Sequence, residues 1–202
     1  GFDISETYID YARERTNDSR ATFAVADGQA FTCADATYDV AVAGLCLSAM
    51  PDQPRAVAEM MRVVKPGGIV GAYVWDFGGK MQMLTHFWET VEALDPGSQD
   101  SDIDPQFAIC KPEPLAELFR SAGLHDVEVR AIDAPTVFKD FDDYWNPFLT
   151  GKAPAQQHTA SLSTERRELL RDRLRSTLPV SRNGSILLIA RAWAVKARVP
   201  HA

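Results

Sequence analysis

Residues 51–76 read PDQPRAVAEMMRVVKPGGIVGAYVWD, and this stretch decides the fold because it joins a helix pattern directly to a strand pattern. Four apolar residues follow the i, i+3, i+4, i+7 spacing of a buried helix stripe: Val57, Met60, Met61 and Val64. Asp52 precedes them as a helix cap, and Pro54 stands in the first turn, where its missing N–H is harmless. The sequence therefore predicts an amphipathic helix that begins after Asp52.

The helix pattern stops at Pro66-Gly67-Gly68, and apolar runs lie on both sides of the helix. Residues 69–75 read IVGAYVW and lead to Asp76, whereas residues 38–47 read YDVAVAGLCL. Nearly uninterrupted apolar runs of this length are typical of parallel strands that helices cover on both faces. The stretch thus predicts a strand–helix–strand unit with an acidic side chain at the carboxyl end of its second strand.

The same alternation continues through the rest of the chain. A helix pattern over residues 112–123 is followed by strand patterns over 124–133 and 185–195. Strands that alternate with helices predict the α/β fold class, here a doubly wound, mostly parallel, Rossmann-like sheet. We expect a single domain over residues 1–202.

Within that domain, the sheet core is expected in residues 1–76, 112–133 and 185–196. Two segments, residues 77–111 and 135–184, interrupt the alternation with additional helix patterns. Both follow strands, at the edge where sheets of this type bind ligands. We predict that they form a helical lid over that edge.

The composition favours a globular protein that acts on small molecules. The sequence contains 21 basic and 28 acidic residues, so the net charge is −7. A nucleic-acid partner is not expected, because phosphates attract basic surfaces. No apolar run approaches the length of a membrane span, so we predict no membrane partner. The three cysteines form no C-x-x-C pair, which argues against a metal site or a disulfide framework and suits the cytoplasm. The oligomeric state is left open.

Four short stretches occur in an informative order: GFDIS (residues 1–5), VADGQAF (25–31), YDVAVAGLCL (38–47) and EMMRVVKPGGIV (59–70). Together they resemble the class I S-adenosylmethionine-dependent methyltransferases, especially the small-molecule group called type 11. The resemblance implies S-adenosylmethionine as cofactor and in-line transfer of its methyl group to a small, partly apolar metabolite. Such a transfer needs groups that position the reactants rather than an acid catalyst.

One part of the family pattern does not occur in this sequence. The family's first strand and its glycine-rich loop, of the D-x-G-x-G-x-G kind, are expected directly before GFDIS, but the twelve glycines include no G-x-G-x-G. We therefore expect an N-terminal truncation within the second family strand. Loss of a central strand leaves backbone groups without partners and apolar faces uncovered, so we expect poor folding or weak cofactor binding.

The resemblance assigns the cofactor to residues at two strand ends. Asp3, with Ile4 beside it, is expected to accept hydrogen bonds from both ribose hydroxyls, as acids after strands do in dinucleotide folds. Asp27 is expected to accept from the adenine amine, with Gly28 and Gln29 at the edge of the ring. The alternatives are a helix cap or loop acid for Asp3 and a plain Asp-Gly turn for Asp27.

Residues after two further strands complete the predicted site. Leu45 and Cys46 would flank the cofactor, with simple core packing as the alternative. Trp75 and Asp76 end a strand at the expected cleft. His86 in the lid helix is the candidate general base, with a structural or solvated histidine as the alternative. Three aromatic residues are predicted to line an apolar substrate pocket: Phe87, Tyr144 and Trp145.

Two other functions compete with methyl transfer. A nicotinamide-dependent oxidoreductase would also place an acid after a strand, but it requires a G-x-G-x-x-G loop and, in one large group, a Tyr-x-x-x-Lys pair, which this sequence lacks. A truncated or degenerate copy would have no activity and would act as an interaction module. The coding sequence upstream of Gly1 would separate these alternatives.

Overall fold

The computed structural model describes residues 1–97 and 105–201, in which strands and helices alternate. In chain order the elements are β1 (Phe2–Asp3), α1 (Glu6–Arg15), β2 (Ala24–Val25), β3 (Tyr38–Gly44), α2 (Gln53–Val63), β4 (Val64–Trp75), α3 (Gln82–Leu94), α4 (Pro112–Ser121), β5 (His125–Phe138), α5 (Phe141–Trp145), α6 (Pro154–Ser161), α7 (Thr164–Thr177) and β6 (Ile186–Arg198). Short 3-10 turns lie at Leu47–Ala49, Pro105–Ile109 and Asn146–Phe148.

The strands form two sheets. β1 and β2 pair in parallel, and the other four strands are ordered β3-β4-β6-β5, with β3 parallel to β4. β6 runs antiparallel to β4, because Gly68 bonds to Val199 at one end of the pair and Asp76 bonds to Arg191 at the other. Sheet strands joined through helices confirm the predicted α/β fold class.

Helix α2 forms where the apolar spacing predicts it. The helix begins at Gln53, and the Asp52 carboxylate accepts a hydrogen bond from the Arg55 N–H at 3.0 Å, which confirms the predicted cap. Its buried residues are Ala56, Val57, Met60 and Val63. This apolar face packs against β3 and α4, so the core of unit 1 holds α2 and its first turn in place.

The junction between α2 and β4 differs from the sequence pattern. Val64, counted above as helical, is the first residue of β4 and pairs with Tyr38. The next pair joins Val40 to Ile69, so five residues of β4 span the length of two in β3. Gly67 lies in this excess segment with φ +76°, a conformation that strains any residue with a side chain. The Lys-Pro-Gly-Gly run therefore forms an irregularity in β4 rather than the last turn of the helix.

Strand β3 is less covered than its apolar sequence predicts. Val40 and Val42 are 50% and 60% exposed, whereas Ala43 is buried in the core. The prediction that helices cover both faces of this strand is therefore wrong for the face that carries the two valines. An apolar pattern shows that a face lacks polar residues, but it does not show which element covers that face.

The chain divides into two compact units. Unit 1 comprises Gly1–Val74, Gln106–Arg130 and Trp193–Ala202, and unit 2 comprises Trp75–Pro105 and Ala131–Ala192. In the described ranges, no helix combines the length and apolarity that crossing a bilayer requires.

Each unit has its own apolar core. Fully buried residues of unit 1 include Leu47, Val57, Leu115 and Phe119. Those of unit 2 include Phe87, Tyr144, Phe148 and Leu174. The predicted division into one domain with two lid insertions stays a prediction, and residues 98–104 of the first insertion lie outside the described residues.

Arg62 fastens the segment before β3 to helix α2. Its guanidinium donates to the backbone oxygens of Phe31 at 3.0 Å and Cys33 at 2.9 Å. It also forms a two-pronged ion pair with Glu59, at 2.8 and 2.9 Å, and a further ion pair with Asp35 at 2.5 Å. The hydrogen bond from Arg62 lowers the pKa of the Glu59 carboxyl.

Replacing Arg62 by Lys should lower the free energy of unfolding by about 1–3 kcal/mol, because one ammonium group cannot reproduce the fork of a guanidinium. Urea denaturation at pH 7 measures this change. The pKa of Glu59 is lower in the folded state than in the unfolded state. The ion pair therefore contributes fully to the free energy of unfolding at a pH above the usual glutamate pKa, and this contribution is lost as the pH falls through the lowered pKa. Arg120→Lys is the matched control, since that side chain is 56% exposed and lies 3.7 Å from its carboxylate partner. Equal stability of the two variants would contradict the role of Arg62.

Candidate functional site

A cavity of about 480 Å³ lies in unit 1, at the carboxyl ends of β1 and β2. It is lined by Asp3 and Ile4, by the loop of residues 26–29, and by residues 40–43 of β3. Met50, which precedes α2, also contributes to the lining. The cavity has the size and the mixed polar and apolar lining of a small-molecule site.

The cavity brings together two acids that lie 24 residues apart in the sequence. β1 and β2 are parallel and in register, with Asp3 opposite Val25. Asp27 follows Val25 by two residues, so both carboxylates lie at the same edge of the two-stranded sheet. The structure also brings Ile4, Gly28 and Gln29 to this cavity.

Asp3 is partly buried at the junction of β1 and α1. Its Oδ1 accepts a hydrogen bond from the Ser5 N–H at 2.8 Å. Ser5 in turn caps α1, because its hydroxyl oxygen accepts from the Tyr8 N–H at 3.4 Å. The backbone oxygen of Asp3 accepts from the Ala26 N–H at 3.0 Å, which links this junction to the loop that carries Asp27.

Asp27 is exposed, and one of its carboxylate oxygens accepts hydrogen bonds from Gln29. Oδ1 of Asp27 accepts from the backbone N–H of Gln29 at 2.9 Å and from its side-chain Nε2 at 3.2 Å. These two hydrogen bonds lower the pKa of Asp27, and the positive charge of Arg55 adds to the effect. At neutral pH the side chain is therefore a carboxylate, which only accepts hydrogen bonds.

The geometry leaves one oxygen of each acid for a ligand. Among residues 1–97 and 105–201, the two carboxylates make no further hydrogen bonds, so Oδ2 of Asp3 and Oδ2 of Asp27 are available. The same described ranges contain no group of three His, Cys, Asp or Glu residues that could hold a metal ion. The pair therefore suits a ligand that presents hydrogen-bond donors at two places.

Comparison with known proteins relates part of the chain to one family. Residues 1–72 match the family described as a methyltransferase domain. A 2-methyl-6-phytyl-1,4-hydroquinone methyltransferase from Synechocystis is 33% identical over 155 residues, which cover 74% of this chain and 46% of that protein. Over residues 1–72 the chain is similar in sequence to this methyltransferase-domain family.

Two further comparisons define how far this likeness reaches. A demethylmenaquinone methyltransferase from Desulfitobacterium hafniense is 39% identical over 74 residues, which cover 35% of this chain and 29% of that protein. The chain therefore spans less than half the length of either relative. A phosphoethanolamine N-methyltransferase 2 from Haemonchus contortus, solved with phosphomonomethylethanolamine and S-adenosylhomocysteine, superposes with a TM-score of 0.55 at 18% identity, covering 100% of this chain and 43% of that one. This superposition shows that the chain has a methyltransferase fold.

The two residues after β3 differ in their surroundings. Leu45 has φ +58°, and its N–H donates to the Tyr73 backbone oxygen at 2.9 Å. Among the described residues that line the cavity, Cys46 is present and Leu45 is absent. Burial raises the pKa of the Cys46 thiol, and the negative charge of Asp3 contributes, which places the thiol near the first acid. A cofactor contact at Leu45 stays a prediction.

The residues predicted on the substrate side all lie in unit 2. Trp75 is partly buried, and Asp76 is 7% exposed. The Asp76 carboxylate accepts from the Lys80 N–H at 3.1 Å. His86, the candidate general base, lies on α3 and is partly exposed. The roles assigned to these residues stay predictions.

The three aromatic residues predicted for a substrate pocket are packed in the core of unit 2. Phe87 and Tyr144 have no exposed surface, and Trp145 is 4% exposed. The ring of Phe87 stacks on that of Phe148, with 4.5 Å between their centres. The Tyr144 hydroxyl donates to the Met83 backbone oxygen at 2.8 Å, and burial raises the pKa of this tyrosine. Their part in substrate binding stays a prediction.

Sequence analysis did not select several apolar residues that line the cavity. The ring of Phe2 lies 5.2 Å from that of Phe31 and 6.4 Å from that of Tyr38. Met50 covers the loop, because a Cβ atom on Gly28 would lie 2.7 Å from the Met50 methyl carbon. Phe2, Phe31 and Tyr38 belong to the quoted GFDIS, VADGQAF and YDVAVAGLCL stretches, but nothing in these stretches marked their side chains as part of a cavity. Such apolar residues are not distinguishable from core residues by sequence pattern.

Proposed function

We propose that this chain holds the adenosine end of S-adenosylmethionine, and that it belongs to an enzyme that transfers the methyl group to a small, partly apolar acceptor. The observation that carries the proposal is the presence of Asp3 and Asp27 in one cavity, at the carboxyl ends of adjacent parallel strands. The similarity of residues 1–72 to a methyltransferase domain supports it.

The residues of the cavity fit adenosine chemically. The ribose hydroxyls and the adenine amine are hydrogen-bond donors, and each of the two carboxylates keeps one oxygen for such donors. Asp3 would hold the ribose, and Asp27 would hold the amine. Val40 and Val42 offer an exposed apolar surface in the same cavity, which suits a purine ring.

The chain would bind and orient rather than donate protons. When bound, S-adenosylmethionine supplies a methyl group on a sulfonium centre, and the sulfur departs as a neutral thioether that needs no acid. The residues of the chain therefore need only to position the reactants. A cavity lined by two hydrogen-bond acceptors, Asp3 and Asp27, and by apolar residues agrees with that role. His86 is the proposed base that removes a proton from the acceptor.

We propose a hydroquinone or a similar aromatic ring as the acceptor class. The support is the named activity of the two relatives, a 2-methyl-6-phytyl-1,4-hydroquinone methyltransferase and a demethylmenaquinone methyltransferase. Both names describe a methyltransferase of a hydroquinone or a quinone.

Isothermal titration of S-adenosylhomocysteine into the chain tests the cofactor assignment. We expect saturable binding, and we expect Asp27→Ala to weaken it by about 10- to 100-fold, because one charge-assisted hydrogen bond is lost. Asp18→Ala is the matched control, since Asp18 pairs with Arg20 and is not among the residues that line the cavity. Tighter binding of NAD than of S-adenosylhomocysteine would favour an oxidoreductase. Binding of neither ligand would contradict the adenosine site.

A further inference from the structure

Gln29 lies next to Asp27 in the cavity wall, and both ends of its side-chain amide are bonded within the protein. Its Nε2 donates to Asp27 Oδ1 at 3.2 Å, and its Oε1 accepts from the Asp52 N–H at 2.8 Å. The partners fix the orientation of the amide, because a carboxylate only accepts and a backbone N–H only donates. The Gln29 side chain therefore connects an acid of the cavity to the cap of α2.

A second connection joins the same loop to α2. Arg55 Nε donates to the backbone oxygen of Gln29 at 2.9 Å. The backbone N–H of Arg55 donates to Asp52 Oδ1 at 3.0 Å, so Gln29 is bonded to the cap of α2 and to a residue of its first turn. The next residues of this helix, Ala56 and Val57, are fully buried in the core of unit 1. The loop is thus attached at two points to a helix that cannot move freely.

These bonds decide which oxygen of Asp27 faces a ligand. Both donors of Gln29 go to Oδ1, so Oδ2 is the remaining acceptor. The terminal torsion of an aspartate is broad, and a single backbone hydrogen bond restrains it weakly. The second bond, from an amide that is itself anchored on Asp52, restrains the plane of the carboxylate.

We propose that Gln29 is a positioning residue that aims Asp27 at its ligand, so that the cavity selects a 6-aminopurine over a 6-oxopurine. This inference rests on the proposed adenosine site. A 6-amino group donates to a carboxylate, whereas a 6-oxo group is an acceptor and is repelled by it. We therefore expect the wild-type chain to bind S-adenosylhomocysteine about 10- to 100-fold more tightly than S-inosylhomocysteine.

Titration of both ligands into Gln29→Ala tests this selection. We expect the preference for S-adenosylhomocysteine to fall below about 5-fold, because a carboxylate that is not held in place loses most of the aligned bond. Gln53→Ala is the matched control, since Gln53 is the first residue of α2 and donates to the Ser48 backbone oxygen at a long 3.4 Å. The control should keep the wild-type preference. A wild-type preference in Gln29→Ala would overturn the inference.

A measurement without ligand tests the positioning step by itself. Carbon-13 NMR titration of the Asp27 carboxyl should show a raised pKa in Gln29→Ala relative to wild type, because one hydrogen bond to the charged form is lost. Gln29→Glu should raise it further, because a second carboxylate then faces the first. Asp3, Asp52 and Arg55 also carry charges at the cavity or at the start of α2, and all three are unchanged in both variants. An unchanged pKa in both variants would overturn the positioning role.

The two experiments distinguish a failure of the proposed function from a failure of the inference about Gln29. If the wild-type chain binds neither S-adenosylhomocysteine nor S-inosylhomocysteine, the proposed function and the purine selection are both overturned, and the titration still decides whether Gln29 holds Asp27. If the wild-type chain binds and discriminates while Gln29→Ala does so equally well, the proposed function stands and the inference about Gln29 is overturned.

Discussion

Replacing Asp3 by Ala should reduce the affinity of the chain for S-adenosylhomocysteine by roughly 100-fold or more, as measured by isothermal titration. In the proposed site the free Oδ2 of this carboxylate accepts from both ribose hydroxyls through its two lone pairs, and a hydrogen bond to a charged group contributes about 1.5–3 kcal/mol. Loss of two such bonds should exceed the loss of the single amine bond at Asp27. The effect is therefore expected to be the largest of any single substitution in the cavity.

The local role of Asp3 needs its own control. Because the carboxylate also accepts from the Ser5 N–H at the start of α1, an alanine could act through the helix. Asp3→Asn keeps an acceptor for that N–H, so we expect an intermediate loss of affinity and an unchanged helix content. Asp10→Ala, on α1 and paired with Arg13 at 3.0 Å, should leave the affinity unchanged. Wild-type affinity in Asp3→Ala would contradict the assignment of the ribose to Asp3.

The parts of the fold that could be predicted from sequence depend on neighbours in the chain. The cap of α2 joins Asp52 to Arg55, three residues away, and the apolar stripe repeats at the helix period. The end of α4 is similar, because Gly123, two residues beyond Ser121, has φ +88° as a C-terminal glycine requires. Local chemistry of this kind depends on residues that are close in sequence.

The features that could not be predicted depend on distant neighbours. The one-residue shift at the end of α2 follows from the pairing of Val64 with Tyr38, a contact across the sheet that overrides helix spacing. The exposure of Val40 and Val42 depends on which element lies over β3, and the strand pattern carries no information on that point. Tertiary context decided both cases.

The candidate site also combines features that could be predicted from sequence with features that depend on distant residues. Strand ends that carry acids were recognisable, and parallel pairing brought Asp3 and Asp27 to one edge. The bond between Gln29 and Asp52 joins residues 23 positions apart and has no signature in either residue's surroundings. Sequence reasoning therefore found the acids of the cavity but not the bonds that hold Asp27 in place.

Replacing Leu115 by Ala should lower the free energy of unfolding by about 2–5 kcal/mol, a larger loss of stability than the one expected for Arg62→Lys. Leu115 lies on α4, has no exposed surface, and belongs to the same apolar cluster as Val57 and Met60 of α2. Its truncation removes buried methyl groups and leaves a cavity that a packed helix pair cannot fill. Urea denaturation followed by circular dichroism measures the loss.

The matched control is Leu169→Ala, because Leu169 is also a helical leucine but is 55% exposed on α7. We expect that control to change stability by less than about 1 kcal/mol. Since the substitution at Leu115 acts on the support of α2 and not on the acids of the cavity, the folded fraction of the variant should bind S-adenosylhomocysteine with nearly wild-type affinity at low temperature. A loss of affinity as large as that of Asp3→Ala, with stability unchanged, would show that α4 acts on the cavity directly and would contradict the supporting role assigned to this core.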